Sequence, residues 1–328
     1  LKIFLLAGQS NQEGQAYTYD STATDGWNIP TMEFLLRGVG SPPASQAAAD
    51  YLDALVAAPF GFASSLDPTW LDPRSDAWCV HYSSSSGTTK DVQVTDTPQV
   101  RFNGIGPLSP GFGVNTGFGS MFGMELGMGI RLGDATADPI FLFKSDTGGT
   151  TLAEVWRPPS AVAARGGVEG PHYTTTLSVF SAFLDALDAD LGDDSVLNGY
   201  GNATGYEVCG FVWLQGWNEM TENGGGFIPE YRHNLVDFVH DLRAADPRIP
   251  GSLPAIIVES ADQHEPLNIE RQAAVDTLNA EIAGSAVFVE TNNMKGVDWG
   301  PNESGASFSQ DWGSHYHARA ENYLEIGW

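Results

Sequence analysis

The chain has 328 residues, 42% hydrophobic and 11% aromatic, enough to bury a large core without a disulfide or metal staple. Fifteen Lys and Arg face 41 Asp and Glu, for a net charge of −26. So acidic a chain repels phosphate backbones and anionic lipid, which excludes nucleic acid and membrane surfaces as expected partners. No apolar run reaches the roughly 18 residues of a membrane span. The scattered acids read as a solvated surface. The Asp-rich stretches 67–76 and 188–194 are the sharper candidates, for calcium, but neither has EF-hand spacing.

In chain order, the first element is Lys2 to Ala7, a continuous apolar run stopped by Gly8. It reads as a strand buried on both faces. Residues 15–118 follow, rich in Gly, Pro, Ser, Thr and Asp. They predict one helix, Ala44–Ala57, and short strands at Trp78–Tyr82 and Val92–Thr95. So long a stretch reads as an elaborated insertion, a candidate lid or cleft wall. Further apolar runs lie at 139–144, 208–214, 255–259 and 286–290. Between them, Tyr173 to Leu191 and Tyr231 to Leu242 have helical period, as does 263–284, and a last helix runs through Ala320, Tyr323 and Ile326. Strands alternating with helices predict an α/β fold. A single domain over 1–328 is expected. Cys79 and Cys209 are either paired in an oxidising compartment or two buried thiols. The chain opens on Leu1-Lys2-Ile3 with no Met, which reads as a removed leader or a trim at the first strand.

Ligands of open parallel sheets sit beyond the carboxyl ends of the strands. After the first run comes Gly8-Gln9-Ser10-Asn11, where Ser10 is either a presented nucleophile or a helix cap. After the third comes Gln215-Gly216-Trp217-Asn218-Glu219, whose Asn218 is a candidate oxyanion donor or a loop hydrogen bond. Near the C-terminus, Asp311 to His317 offers a His with an acid close by, the base half of a Ser–His–Asp arrangement. The ordered set is more specific than any member.

These blocks resemble the SGNH hydrolase superfamily in its GQSN form, the sialic-acid O-acetylesterase-like family, which includes carbohydrate acetyl esterases. Phe122-Gly123-Met124-Glu125-Leu126-Gly127 resembles its FGPEL-type block, with Met124 for Pro. Lys144 to Pro159, KSDTGGTTLAEVWRPP, resembles its GG…RPP segment. Gly216-Trp217-Asn218-Glu219 resembles its G-x-N-D block, with Glu for Asp. His315-Tyr316 through Gly327 resembles its HYNGSA ending, with His317 for Asn.

The resemblance implies a three-layer α/β/α sandwich, SGNH or flavodoxin-like, with a mostly parallel five-stranded sheet and a long insertion after the first strand. It implies a carbohydrate O-acetylesterase acting through an acetyl-serine. Ser10 is then the nucleophile, His315 the general base, and Ser10, Gly123 and Asn218 the oxyanion hole. The acid is Asp311, four rather than three residues before the His; Glu219 or the backbone is the alternative orienter. Gln9, Gly149, Arg157, Gln215 and Trp217 are candidate substrate contacts, with Trp299 and Trp312 as further stacking candidates; alternatively Gln215 braces the oxyanion loop, Gly149 makes a tight turn and Arg157 pairs with an acid. No metal or organic cofactor is implied. His81, His172, His233, His240, His264 and His317 lack ligand spacing. The expected partner is an acetylated glycan such as sialic acid or xylan, and the expected setting is secreted or extracytoplasmic. The competing reading is a non-catalytic carbohydrate-binding protein on a hydrolase scaffold; a lipase-type esterase fits less well.

Overall fold

The structure, a computed structural model, describes residues 1–18, 32–37, 65–83, 92–93, 101–102, 104–113, 121–190, 205–221, 225–261, 264–291, 316 and 320–328. The expected helix Ala44–Ala57 lies outside them, as do most of the insertion and residues 292–315.

The described elements run in chain order. They are β1 (Lys2–Gly8), α1 (Ser10–Glu13), β2 (Ala16–Tyr17), α2 (Met32–Arg37), β3 (Ala77–Ser83), β4 (Val92–Gln93), β5 (Arg101–Phe102), β6 (Gly104–Pro107) and β7 (Met121–Phe122). Then come α3 (Met124–Ala135), β8 (Ile140–Asp146), α4 (Pro159–Arg165), α5 (Pro171–Asp190), β9 (Glu207–Leu214), α6 (Trp217–Thr221), α7 (Ile228–Ala245), β10 (Ala255–Val258), α8 (Glu265–Glu281), β11 (Ala286–Val289) and α9 (Ala320–Gly327).

All five apolar runs are strands, and they are neighbours in one sheet. Among the described residues the sheet has seven strands rather than five, in the order β11-β10-β9-β1-β8-β3-β6. Six are parallel, and β6 runs antiparallel to β3. The two added strands come from within 15–118, so this segment widens the sheet beyond β8. Alternation along β1 sorts the core into two layers. Ile3, Leu5 and Ala7 face α5, α7 and α8, while Leu6 faces α2, α3 and α9. The sheet is thus flanked by helices on both faces.

Helix α3 has no counterpart in the sequence reading. Its glycines lower helix propensity but permit close packing. A Cβ on Gly127 would stand 2.2 Å from the Leu324 carbonyl oxygen, and one on Gly327 would stand 2.1 Å from that of Met124. The α3–α9 pair is therefore a backbone-to-backbone contact.

The chain passes from β8 on one side of β1 to β9 on the other, so the order reverses at β1. Gly8 pairs in register with Asp146 and with Leu214, which brings the carboxyl ends of all three strands level. Ser10 follows directly at this switch point, where open α/β sheets bind ligands.

Cys79 on β3 and Cys209 on β9 are free thiols. Three strand spacings separate them, about 14 Å, whereas a disulfide requires Cα atoms about 4.4–6.8 Å apart. The urea midpoint should therefore be the same with and without reductant. Thiol titration of the unfolded, unreduced chain should find both cysteines.

Candidate active site

Ser10 opens the short helix α1 directly after β1. Its neighbours are held by backbone approach. A Cβ on Gly8 would lie 2.1 Å from the Leu214 carbonyl oxygen, and one on Gly14 (φ 84°) 2.3 Å from the Gly123 nitrogen. Only glycine lets the chain pass both strands this closely. Pairing of Ala16 with Phe122 carries the chain on past Gly123. Ser10 is half-buried, and Asn11, Gln12 and Glu13 are buried.

On one side of α1 stands the loop after β9. The Gly216 N–H donates to Gln9 Oε1 at 3.1 Å, and Gln9 Nε2 donates to Asn218 Oδ1 at 3.3 Å. Gln9 is 2% exposed, so it is an internal bridge rather than the substrate contact expected of it. Its side chain brings Asn218 to the Ser10 turn although 209 positions separate Gln9 and Asn218.

The same loop is braced from behind. Gln215 Nε2 donates to the Thr150 carbonyl at 2.9 Å and to the Glu219 carboxyl, which also accepts from the Leu152 N–H. Arg271, fully buried, donates to the Gln215 carbonyl at 2.9 Å and to Ser260 Oγ at 3.2 Å, and lies over the Tyr231 ring. Gln215 is thus a brace and not a surface contact. Trp217 is half-buried at the start of α6. Gly149 is exposed at a turn with φ 70°, and a Cβ there would meet open space.

On the other side of α1 stands Gly123. Its N–H donates to Glu125 Oε1 at 2.8 Å, so the expected oxyanion donor is already engaged by a carboxylate. Glu125 Oε2 pairs with Lys144 Nζ at 2.9 Å, and Lys144 also donates to the carbonyls of Glu13 and Phe112, each at 2.8 Å. Burial pulls the Lys144 pKa down, but Glu125 and Asp146 outweigh it, and the net shift is upward. The ammonium stays charged.

Arg157 also turns inward. It donates to the Ala153 carbonyl and pairs with Glu230, both at 3.0 Å, and is 6% exposed. Of the two readings, a sugar contact and a pair with an acid, the structure shows the second, and Arg157 braces α7 against the segment before α4.

Sequence reading left two histidines near β8 unassigned. Burial, with Lys144 nearby, holds His81 down to about 3. The neutral ring donates Nε2–H to Asp146 at 2.8 Å. Burial holds His172 down to about 4, and it packs edge-on against Trp156. His233 is exposed and His240 pairs with Glu281, as surface groups. Three of the acids weighed for calcium have other partners: Asp67 caps Thr69, Asp76 pairs with Arg74, and Asp188 with Arg248. Positions 191–194 are outside the described residues.

His315, Asp311, Trp299 and Trp312 are outside the described residues, but Tyr316 is within them. Its hydroxyl donates to the Glu259 carbonyl at the end of β10, and its own carbonyl accepts from Asn322. Its ring packs edge-on against Tyr323, whose hydroxyl donates to Asn11 Oδ1 at 3.1 Å. Position 316 is therefore stitched to the Ser10 turn through one intervening side chain. Tyr316 has a φ of 51°, the only positive value among described non-glycine residues. That conformation costs about 1–3 kcal/mol, which its buried contacts must offset.

Among solved structures, the chain is similar to a carbohydrate acetylesterase from Xanthomonas citri, with a TM-score of 0.43 and 15% identity over 88% of this chain and 49% of that one. It therefore spans about half the length of that protein. It is also similar to a protein from Arabidopsis thaliana (TM-score 0.47, 14% identity, 99% and 94% covered). A third is NanS (TM-score 0.47, 14% identity, 88% and 77% covered). No family model and no curated protein matches the sequence.

Two measurements test the braces. Lys144→Met leaves the Glu125 carboxylate buried without its cation, and should cost about 3–5 kcal/mol. Adding Glu125→Gln should restore part of it, read as urea midpoints. Burial also pushes Glu219 up to about 8, against the pull of Gln215, Leu152 and Arg271. The folded protein keeps a proton that the unfolded chain, at an ordinary value near 4.5, releases. Stability from this group should fall as pH rises from about 4.5 to about 8, and Glu219→Gln should flatten that slope.

Proposed function

We propose that the chain is a serine esterase that removes O-acetyl groups from carbohydrate through an acetyl-serine intermediate. The observation that carries this reading is the Gln9 bridge. It joins the Ser10 turn to Asn218 at the carboxyl end of the sheet, where the strand order reverses. A nucleophile and an oxyanion donor are needed within reach of one carbonyl, and these are the two residue types so joined.

The proposed chemistry follows from the parts. Serine is a weak nucleophile at its free pKa and needs an adjacent base. His315 takes the Ser10 proton as Oγ attacks the acetyl carbon. The developing oxyanion is held by the Ser10 N–H and Asn218 Nδ2. The Gly123 N–H joins them only if Glu125 releases it. His315 then gives its proton to the departing sugar oxygen, and water attacks the acetyl-serine by the same route. Asp311 is the proposed orienter of His315. Both assignments rest on the sequence pattern, and the anchoring of Tyr316 beside them supports it.

The proposed substrate is an uncharged acetylated glycan such as xylan, in an extracytoplasmic setting. The chain is strongly acidic, and Arg157 is engaged by Glu230. An anionic glycan would meet repulsion with little to offset it.

Acetate release from a small activated acetyl ester tests the reading. The parent should be active, and Ser10→Ala and His315→Ala should each lose at least about a thousandfold in kcat. A parent no better than its variants, on this ester and on acetylated xylan, would sink it. Sugar binding without catalysis would then be the reading to pursue.

A further inference from the structure

We propose that Gln9 is a positioning residue: it sets which end of the Asn218 amide is presented for catalysis. The inference deepens the esterase reading and rests on it.

The argument is one of donors and acceptors. A backbone N–H can only donate. The Gly216 N–H therefore requires the oxygen end of the Gln9 amide, at 3.1 Å. That leaves the Gln9 nitrogen end to face Asn218, at 3.3 Å. A nitrogen end can only donate, so it selects the Asn218 oxygen. Nδ2 of Asn218 is then turned away from Gln9, and among the described residues nothing accepts from it. Two amides that are each free to flip are thus ordered by one fixed backbone donor. Gly216 is itself held in place, since Arg271 grips the preceding carbonyl.

An oxyanion hole needs a donor fixed before the charge develops. With Asn218 flipped, its oxygen would face the developing negative charge instead. Gln9 prevents this from a buried position, 2% exposed, without touching the substrate.

The discriminating variant is Gln9→Glu. Its shape is nearly unchanged, and one carboxyl oxygen still accepts from Gly216. When ionised, the introduced carboxyl has no donor for Asn218 and draws Nδ2 toward itself. When protonated, its O–H donates to Oδ1 as the glutamine did. Burial should raise the pKa of this carboxyl above its ordinary value of about 4.3. The ionisable groups around the bridge, among the described residues, are Glu219 and Arg271. Glu219 is pushed up to about 8 and would couple to the introduced carboxyl, so the ratio is read in a Glu219→Gln background for both parent and variant.

Two readouts separate the outcomes. The first is kcat on an acetyl ester, as the ratio of Gln9→Glu to parent from pH 5 to 8. At pH 8 the ratio should be about 10⁻² to 10⁻³, the loss of one oxyanion donor, with KM within about threefold. It should climb toward one as pH falls. Gln9→Met, with neither donor nor acceptor, should give a ratio independent of pH. A flat ratio for Gln9→Glu, at any level, would overturn the inference.

The second readout needs no turnover. The ¹⁵N-labelled side-chain amide of Asn218, assigned by its loss in Asn218→Ala, should shift with pH in Gln9→Glu and stay fixed in the parent. An amide that does not respond in the variant would overturn the inference whatever the kinetics show. A responsive amide in Gln9→Glu, together with a parent that hydrolyses no acetyl ester, would sink the esterase reading and leave the coupling of Gln9 to Asn218 standing.

Discussion

The candidate site is organised around a charge that water cannot reach. Lys144 projects from the carboxyl half of a central strand, and its ammonium is fully buried. Moving such a charge out of water costs several kcal/mol unless every proton finds a partner. Lys144 has three protons, and it has three acceptors: the Glu125 carboxylate and the carbonyls of Glu13 and Phe112. Each acceptor belongs to a different segment. The Glu13 carbonyl ends the Ser10 turn, Glu125 starts α3 and holds Gly123, and Phe112 belongs to the stretch after β6. A displacement of any of the three would strand a proton in a medium of low dielectric. The geometry around Ser10 is fixed on this side by the cost of breaking the set.

The opposite side uses the same logic with a different charge. Arg271 is the buried cation there, and Gln215, Ser260 and Asn268 are its acceptors. Glu219 and Gln215 then join the ends of β8 and β9 across the chain that carries Gly149. Both walls of the Ser10 turn therefore consist of hydrogen bonds that would be weak in water. Inside the protein their loss would leave unsatisfied groups, which costs about 1–3 kcal/mol each. On the proposed esterase reading, donors must be held still while charge develops, and walls of this kind would hold them.

How much of this was legible depends on the range of the interaction. The five apolar strands are read from local runs of apolar residues; this holds even for β11, which lies at the sheet edge and is only partly buried. Strand β3 was read as Trp78–Tyr82, one residue short at each end of Ala77–Ser83. Helix α3 was missed because Gly127, Gly129 and Gly133 look like loop residues until Leu324 and Leu108 are set against them. At the site, Ser10 and Asn218 were visible as motif positions. What joins them was not, because Gln9 and Gly216 are partners 207 residues apart and nothing local marks them as a pair. For Arg157 the choice between a sugar contact and a pair with an acid stayed open for the same reason. A guanidinium beside prolines looks available until Glu230, 73 residues on, is seen to hold it.

The charge of the chain gains meaning from where its few cations lie. Only 15 Lys and Arg stand among 328 residues. Lys144, Arg157, Arg243 and Arg271 are all buried, and each is held by a carboxylate or by backbone and side-chain oxygens. A chain short of cations thus places several of them in its interior, two of them as braces beside the Ser10 turn. The surface loses those positive charges and is more acidic than the overall count conveys. Solubility and polar internal order then follow from a single allocation. Acids outside repel other chains and anionic polymers, while the scarce cations inside align the loops at the carboxyl end of the sheet.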